Sequence, residues 1–196
     1  MKLTMDFYQR DDVISIARDL LGKVLFTKIG DLTSGGTIVE TEAYSWKEKG
    51  CHAFGGRKTN RNRVMFEKGG KSYVYLCYGM HSLFNVVTNK VGIAEAVLVR
   101  AIDPFFNVEI MESRRGKKFP NFQLTSGPGK LTKALGINLN FNDKDLTGEE
   151  IWIEDRGNKL NSEEIHSSKR IGIDYAGKDA DLPWRFFVGD NRWVSR

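Results

Sequence analysis

Apolar positions along the chain change their period several times, and each change predicts a new element. Between residues 11 and 22, Val13, Ile14, Ala17, Leu20 and Leu21 recur at helical spacing. Asp11 or Asp12 can cap this helix and Gly22 stops it. Residues 23–27 and 37–44 then read as extended segments, separated by a polar, glycine-bearing turn over 31–36. Residues 45–70 carry glycine and charge with no sustained period. They predict a long irregular loop, and loops of that length inside a compact domain usually serve a function.

The stretch 72–78, Ser-Tyr-Val-Tyr-Leu-Cys-Tyr, is followed by a turn at 79–81 and a return through 83–88. That pattern predicts a hairpin with Tyr78 and Met80 at its tip. Residues 95–102 form another apolar strand pattern, Pro104 is expected to interrupt it, and 105–115 has the spacing of an amphipathic helix. Ser126-Gly-Pro-Gly-Lys-Leu opens a short helix ending near Gly136, and strand-like pieces follow at 151–154, 170–174 and 185–188. With no internal repeat, low-complexity tract or linker, residues 1–196 are expected to form a single mixed domain.

Candidate chemistry is densest at residues 38–44, Ile-Val-Glu-Thr-Glu-Ala-Tyr. Period two puts Glu40, Glu42 and Tyr44 on one face of an extended chain and Val39, Thr41 and Ala43 on the other. Carboxylates beside an aromatic ring suit base catalysis next to a flat substrate. An isolated acidic pair is more often a wet strand edge, and only the rest of the chain reverses that preference.

Composition narrows the class without fixing it. Hydrophobic residues make up 40% and charged ones 28%, the balance of a soluble globular chain. No apolar run approaches the roughly 18 residues of a spanning helix, and the first residues lack the apolar run of a signal peptide. A cytoplasmic protein is expected, nucleoid-associated in a bacterium, with no membrane partner. Cys51 and Cys77 read as free thiols. Neither they nor His52, His81 and His166 have zinc-ligand spacing, two cysteines exclude an iron–sulfur cluster, and no glycine-rich nucleotide fingerprint follows a strand.

The net charge of +5 permits a polyanionic partner. Its basic groups are Arg57, Lys58, Arg61 and Arg63; then Arg114, Arg115, Lys117 and Lys118; then Lys130, Lys133, Lys169 and Arg170. Each alone reads as a solvated face, and together they can line one phosphate track. The Gly-Pro-Gly-Lys turn also presents backbone N–H groups at a helix start, a weak signal for a phosphate seat.

Set in order, the motifs are Val-Glu-Thr-Glu-Ala-Tyr at 39–44, Cys51-His52-Ala53, Gly55-Gly56-Arg57, Arg61-Asn62-Arg63, Met65-Phe66, Tyr73-Val74-Tyr75, Tyr78-Gly79-Met80 and Asn85-Val86-Val87. Leu98-Val99-Arg100-Ala101, Gly127-Pro128-Gly129-Lys130-Leu131, Arg170-Ile171-Gly172 and Arg192-Trp193-Val194-Ser195 continue the series. The whole closely resembles the alkyladenine (3-methyladenine) DNA glycosylase family from about Ala17 onward. The resemblance implies an α+β domain built on a curved, largely antiparallel sheet, with surrounding helices and a protruding hairpin that inserts into DNA. It further implies a monofunctional enzyme that flips alkylated or deaminated purines, such as 3-methyladenine, 7-methylguanine and hypoxanthine, out of duplex DNA and hydrolyses the N-glycosidic bond.

In such an enzyme Glu42 would activate the attacking water and Arg100 would help hold it. Tyr44 would stack on one face of the base, with His52 and Tyr75 on the other, and Asn85 at the pocket floor would disfavour the amino group of ordinary guanine. Tyr78 would wedge into the duplex, with Met80 and His81 as groove contacts. Arg57, Arg61, Arg63 and Lys130 are the expected phosphate contacts. No cofactor or metal, a monomeric state and double-stranded DNA containing damaged purines as partner complete the expectation. Departures from the family pattern are Cys51 in place of a small residue, a short Tyr44–His52 spacing, and His81 where an aromatic ring is common; they bear on substrate preference. Two other classes remain: a noncatalytic damage-binding protein, which the acid at position 42 argues against, and an RNA- or carbohydrate-directed protein using Glu40 and Glu42.

Overall fold

A computed structural model describes residues 1–116 and 122–195. Over these residues the chain runs α1 (Met5–Tyr8), α2 (Val13–Asp19), β1 (Val24–Ile29), β2 (Leu32–Ser45), β3 (Ser72–Cys77), β4 (His81–Val87), β5 (Glu95–Phe106), α3 (Val108–Arg115), α4 (Pro128–Leu135), β6 (Ile151–Glu154), β7 (Ile165–Ser168) and β8 (Arg185–Val188). Among the described residues the eight strands form one antiparallel sheet. Its order is β3-β4-β5-β2-β1-β6, with β8 pairing to both β2 and β7. The fold is α+β, as expected. Among the described residues no helix is long and apolar enough to cross a membrane.

β2 is the spine of this sheet. Along one edge it pairs with β5 from Gly35 to Ser45, while β1 pairs with Leu32 to Thr37 and β8 with Glu40 to Glu42. Strand alternation then sorts the side chains onto two faces. Ile38, Ala43, Val74, Phe84, Val86, Val97, Val99 and Ile102 share the main core with Ile16, Leu20, Leu131 and Leu135, so α2 and α4 cover that face. Asp12 caps α2 by accepting from the Ile14 N–H at 2.9 Å, and the Thr41 hydroxyl donates to the Ala17 carbonyl at 2.8 Å, tying the helix to β2. The other face carries Tyr73, Tyr75, Asn85, Ala96, Leu98 and Arg100, under the chain of residues 46–70.

Alternation along β2 is not strict. The pairing with β5 shifts register on both sides of Glu40, and this bulge lets Ile38 and Ala43 enter the same core despite their odd spacing. Glu40 and Glu42 nevertheless keep a common face, because both reach Arg100.

Four expectations are corrected. The turn expected over 31–36 is mostly strand: β1 and β2 turn at Gly30 and Asp31, and Gly35 and Gly36 lie inside the ladder. A Cβ on Gly35 would stand 2.4 Å from the Phe26 ring, and one on Gly36 would stand 2.5 Å from the Asp103 carbonyl, so both glycines serve close strand approach. Pro104 does not end β5; it pairs with Gly36 where the register shifts, a bulge that tolerates the missing N–H. The helix expected over 105–115 therefore begins only at Val108. Residues 170–174 form no strand, and the neighbouring strand is instead β7, whose Ile-His-Ser-Ser sequence shows no apolar alternation.

Candidate active site

A cavity of about 470 Å³ opens on the sheet face opposite the main core and reaches the start of α4 at Pro128 and Gly129; it is lined among others by Tyr44, His52, Tyr73, Tyr75, Asn85, Leu98, Arg100 and Ile171. Five strand-borne positions in this wall, Tyr73, Tyr75, Asn85, Leu98 and Arg100, fall on one face through the period of two.

Behind the wall lies a cluster of two carboxylates and two guanidinium groups. Glu40 Oε1 accepts from Arg100 Nε (2.8 Å), Arg185 Nε (2.7 Å) and the Ser195 hydroxyl (2.8 Å), while Oε2 accepts from the Ser195 N–H (2.7 Å). Glu42 Oε2 accepts from the Tyr44 hydroxyl at 2.7 Å. Its Oε1 accepts from the Ile171 N–H at 2.8 Å and lies 3.2 Å from Arg100 Nη1. Both acids are fully buried. Glu42 does not itself form the cavity surface: Tyr44, Arg100 and Ile171, which do, are the groups bonded to it.

Burial, reinforced by the Glu42 charge and hydrogen bond, pushes the Tyr44 phenol well above its ordinary pKa, so it stays a proton donor. Burial works against the Arg100 charge, but Glu42 and Glu40 outweigh it and raise the pKa. Arg100 is thus a fixed cation shared between the two acids.

The opposite wall is aromatic. His52 and Tyr75 meet with ring centroids 4.5 Å apart at 71°, Tyr73 lies 5.4 Å from Tyr75, and His52 Nδ1 is 3.0 Å from the Tyr73 hydroxyl. Desolvation against these rings, helped by the Arg61 guanidinium, lowers the His52 pKa to about 4, leaving the imidazole neutral near pH 7. The buried Asn62 carboxamide donates to the His52 and Arg57 carbonyls, both at 2.9 Å, and so holds the loop that delivers His52. Asn85 donates to the Tyr73 carbonyl at 3.1 Å while lining the cavity.

The hairpin of β3 and β4 rises at the cavity rim. Tyr78 and Gly79 both have positive φ, 50° and 69°, and the Met80 N–H closes the turn on the Cys77 carbonyl at 3.1 Å. Tyr78 is 87% exposed and Met80 74%, which makes this tip the most projecting apolar feature beside the cavity. The hairpin leans on α4. Thr132 donates to the Ser82 carbonyl at 2.6 Å, and the His81 ring packs so closely over Gly129 that a Cβ there would approach it to 3.1 Å.

The basic residues stand in different surroundings. Arg61 borders the cavity, 5.2 Å from the Tyr75 ring centroid, and donates to the Leu76 carbonyl. Arg57 is exposed, Arg63 faces Asp143 at 3.4 Å, and Lys130 bonds Gln123. Arg114 donates to Ser34 and Ala134, and Lys169 pairs with Asp181. Arg170, grouped with the surface cations on sequence, is buried against Glu48. Lys117 and Lys118 lie outside the described residues.

Sequence reasoning missed the residues that hold the site from behind: Arg170, Arg185, Asn62, Glu48 and Ser195. Asn62, Arg170 and Ser195 do stand in motifs that carry the family resemblance, which is the signal that could have found them. Among the described residues no three His, Cys, Asp or Glu side chains are grouped to hold a metal ion.

An aromatic cavity sized for a planar group, beside a projecting tip and backed by a buried acid, belongs to the class of enzymes that work on bases taken out of nucleic acid. Comparison with known proteins makes this specific: the methylpurine-DNA glycosylase family model matches residues 6–192. A protein of Carboxydothermus hydrogenoformans is 46% identical over 196 residues, covering all of both chains. One of Clostridium acetobutylicum is 44% identical over 203 residues, covering 100% of this chain and 98% of its own length, and one of Chlamydia abortus is 46% identical over 188 residues, covering 95% and 97%. The names of all three assign them provisionally as 3-methyladenine DNA glycosylases. The chain belongs to the methylpurine-DNA glycosylase family and is a DNA-repair glycosylase.

Proposed function

We propose that the protein acts as a monomer on cytoplasmic duplex DNA, flips alkylated or deaminated purines into the cavity and hydrolyses their N-glycosidic bonds. The substrates are 3-methyladenine, 7-methylguanine and hypoxanthine. The observation that carries this reading is the position of Glu42, one hydrogen bond behind an aromatic cavity whose rim bears the exposed Tyr78.

Tyr78 enters the base stack, and the extruded purine slides between Tyr44 and the His52–Tyr75 pair. Its arrival exchanges the Tyr44 hydroxyl on Glu42 Oε2 for a water. Glu42 takes a proton from that water as its oxygen bonds to the anomeric carbon, and the purine leaves with the bonding electron pair. A ring-alkylated purine carries positive charge and leaves as a neutral base, which favours it over ordinary purines. Arg100 keeps the carboxylate oriented, and the neutral His52 adds no charge against a cationic lesion. Asn85 stands at the cavity floor against the amino group of guanine.

The test is release of free base from duplexes carrying a single hypoxanthine or 3-methyladenine. Glu42→Gln is expected to lower the rate by about 10²–10⁴-fold, the worth of a general base, while retaining lesion affinity. Undiminished release by that variant removes Glu42 as the base.

A further inference from the structure

Arg170 is more completely enclosed than the other cations near the cavity, Arg100, Arg185 and Arg61, and the reaction described above does not use it. Its side chain is 0% exposed, and its fork meets Glu48 twice, Nη1 to Oε1 at 2.7 Å and Nη2 to Oε2 at 2.8 Å. The remaining bonds run to the Ala43 carbonyl at 2.9 Å and the Asp179 carbonyl at 3.0 Å. A buried ion pair is close to neutral for stability when compared with apolar residues of the same size. Stability alone therefore does not explain why this pair stands where it does.

Its location does. The guanidinium carbon lies 4.7 Å from the Tyr44 ring centroid and 5.2 Å from that of Trp184, so a flat cation backs the ring whose other side faces the cavity. The bond to Ala43 fixes the backbone just before Tyr44. The next residue, Ile171, donates its N–H to Glu42, so the same anchor sets the acid's Oε1. Glu48 Oε2 also accepts from the Gly50 N–H at 2.7 Å, which ties the turn leading to His52 into the same pair. One ion pair thus reaches the stacking ring, the acid and the approach to the opposite wall.

We propose that Arg170, held by Glu48, is a positioning residue for base excision, which sets the Tyr44 ring and Glu42 in register with the cavity. This rests on the glycosylase reading. Glu48 is required because it fixes the fork and balances its charge. Lysine does not replace the arginine, since a single ammonium cannot hold Glu48 through two parallel bonds and lie flat on Tyr44 as well.

The experiment compares wild type with Arg170→Met, Arg170→Lys and Glu48→Gln. It uses duplexes containing one hypoxanthine flanked by a fluorescent base analogue, at a temperature below the melting point of every variant. Three quantities are read: affinity for undamaged duplex, the fluorescence change on base extrusion, and the single-turnover rate of base release. A misplacement of the reacting groups by about 1 Å costs on the order of 100-fold, so Arg170→Met is expected to lose about that much in release rate. Undamaged-duplex affinity is expected to stay at the wild-type level, which simple loss of structure would not allow. Arg170→Lys is expected to recover only part of the rate, and Glu48→Gln to fall between wild type and Arg170→Met. Wild-type release rates in Arg170→Met, or in Glu48→Gln where the arginine variants do not fold, overturn the assignment. So does a parallel loss of undamaged-duplex binding and release. A wild-type protein that releases base neither from this duplex nor from one carrying 3-methyladenine overturns the proposed excision reaction itself, a result distinct from unchanged variants beside an active wild type.

Discussion

The Tyr44 hydroxyl donates to Glu42 Oε2 at 2.7 Å, with one residue between the two on β2. The ring presents a stacking surface to the cavity while its hydroxyl covers the acid, so the two halves of this side chain have separable roles. Tyr44→Phe keeps the ring and uncovers Oε2. It is expected to hold lesion DNA as wild type does and to release base at least as fast, whereas Tyr44→Ala loses about 1–3 kcal/mol of lesion affinity with the stack. Binding titrations and single-turnover assays on the two variants check this; equal losses in both would contradict it.

Tyr78 combines 87% exposure with a left-handed backbone, φ 50°, a conformation costly for an aromatic residue. Asparagine tolerates that conformation far better. Tyr78→Asn is therefore expected to leave the melting temperature unchanged or raise it slightly while weakening lesion capture. A fall in both would mean that the tip residue serves the fold.

Among the described residues Glu40 is the sole carboxylate bonded by both Arg100 and Arg185, and all three side chains are at most 12% exposed. Removing its charge leaves two buried cations without that partner. Glu40→Gln is expected to lower unfolding free energy by about 3–5 kcal/mol, measured by chemical denaturation. Arg185→Met, which leaves Glu40 paired with Arg100, is expected to cost less, and the reverse order would refute the hub.

Gly36→Ala is expected to destabilise by about 1–3 kcal/mol, because the new methyl meets backbone atoms of Asp103 and Pro104, which have no rotamer to escape into. Thermal denaturation with unchanged DNA affinity per folded molecule is the check.

His52 supplies the pH dependence. Its pKa falls from 6.5 in the open chain to about 4 in the fold, so between those values the unfolded state binds the extra proton. The stability it contributes is complete above pH 6.5 and is lost as pH drops toward 4. His52 is an exposed residue, and screening holds the effect to on the order of 1 kcal/mol. The stability gap between wild type and His52→Gln is expected to narrow over that interval, and a gap that widens on acidification would reverse the sign.

Much of the fold is written in local periodicity. The helix beginning at Val13, the strand through Glu42 and the Tyr78 hairpin all follow from spacing that neighbouring elements reinforce. Errors arose where one residue type serves two physical ends. Gly35 and Gly36 look like a turn yet exist for close strand approach, and Pro104 looks like a terminator yet sits in a bulge. The motif order brought Tyr44, His52, Tyr75, Asn85 and Arg100 to one cavity. Arg170, Arg185 and Ser195 escaped because charged and hydroxyl residues are mostly exposed, and neither spacing nor periodicity marks the few whose partners lie far along the chain.

Glu40 is 155 positions from the serine that supplies both its backbone and its hydroxyl bond. During synthesis the ribosome must deliver all eight described strands before that serine arrives, so until then this buried acid lacks two of its donors. Contacts so distant in sequence close late. The buried anion beside the base-sized cavity therefore gains its full set of donors only with the final contacts of folding.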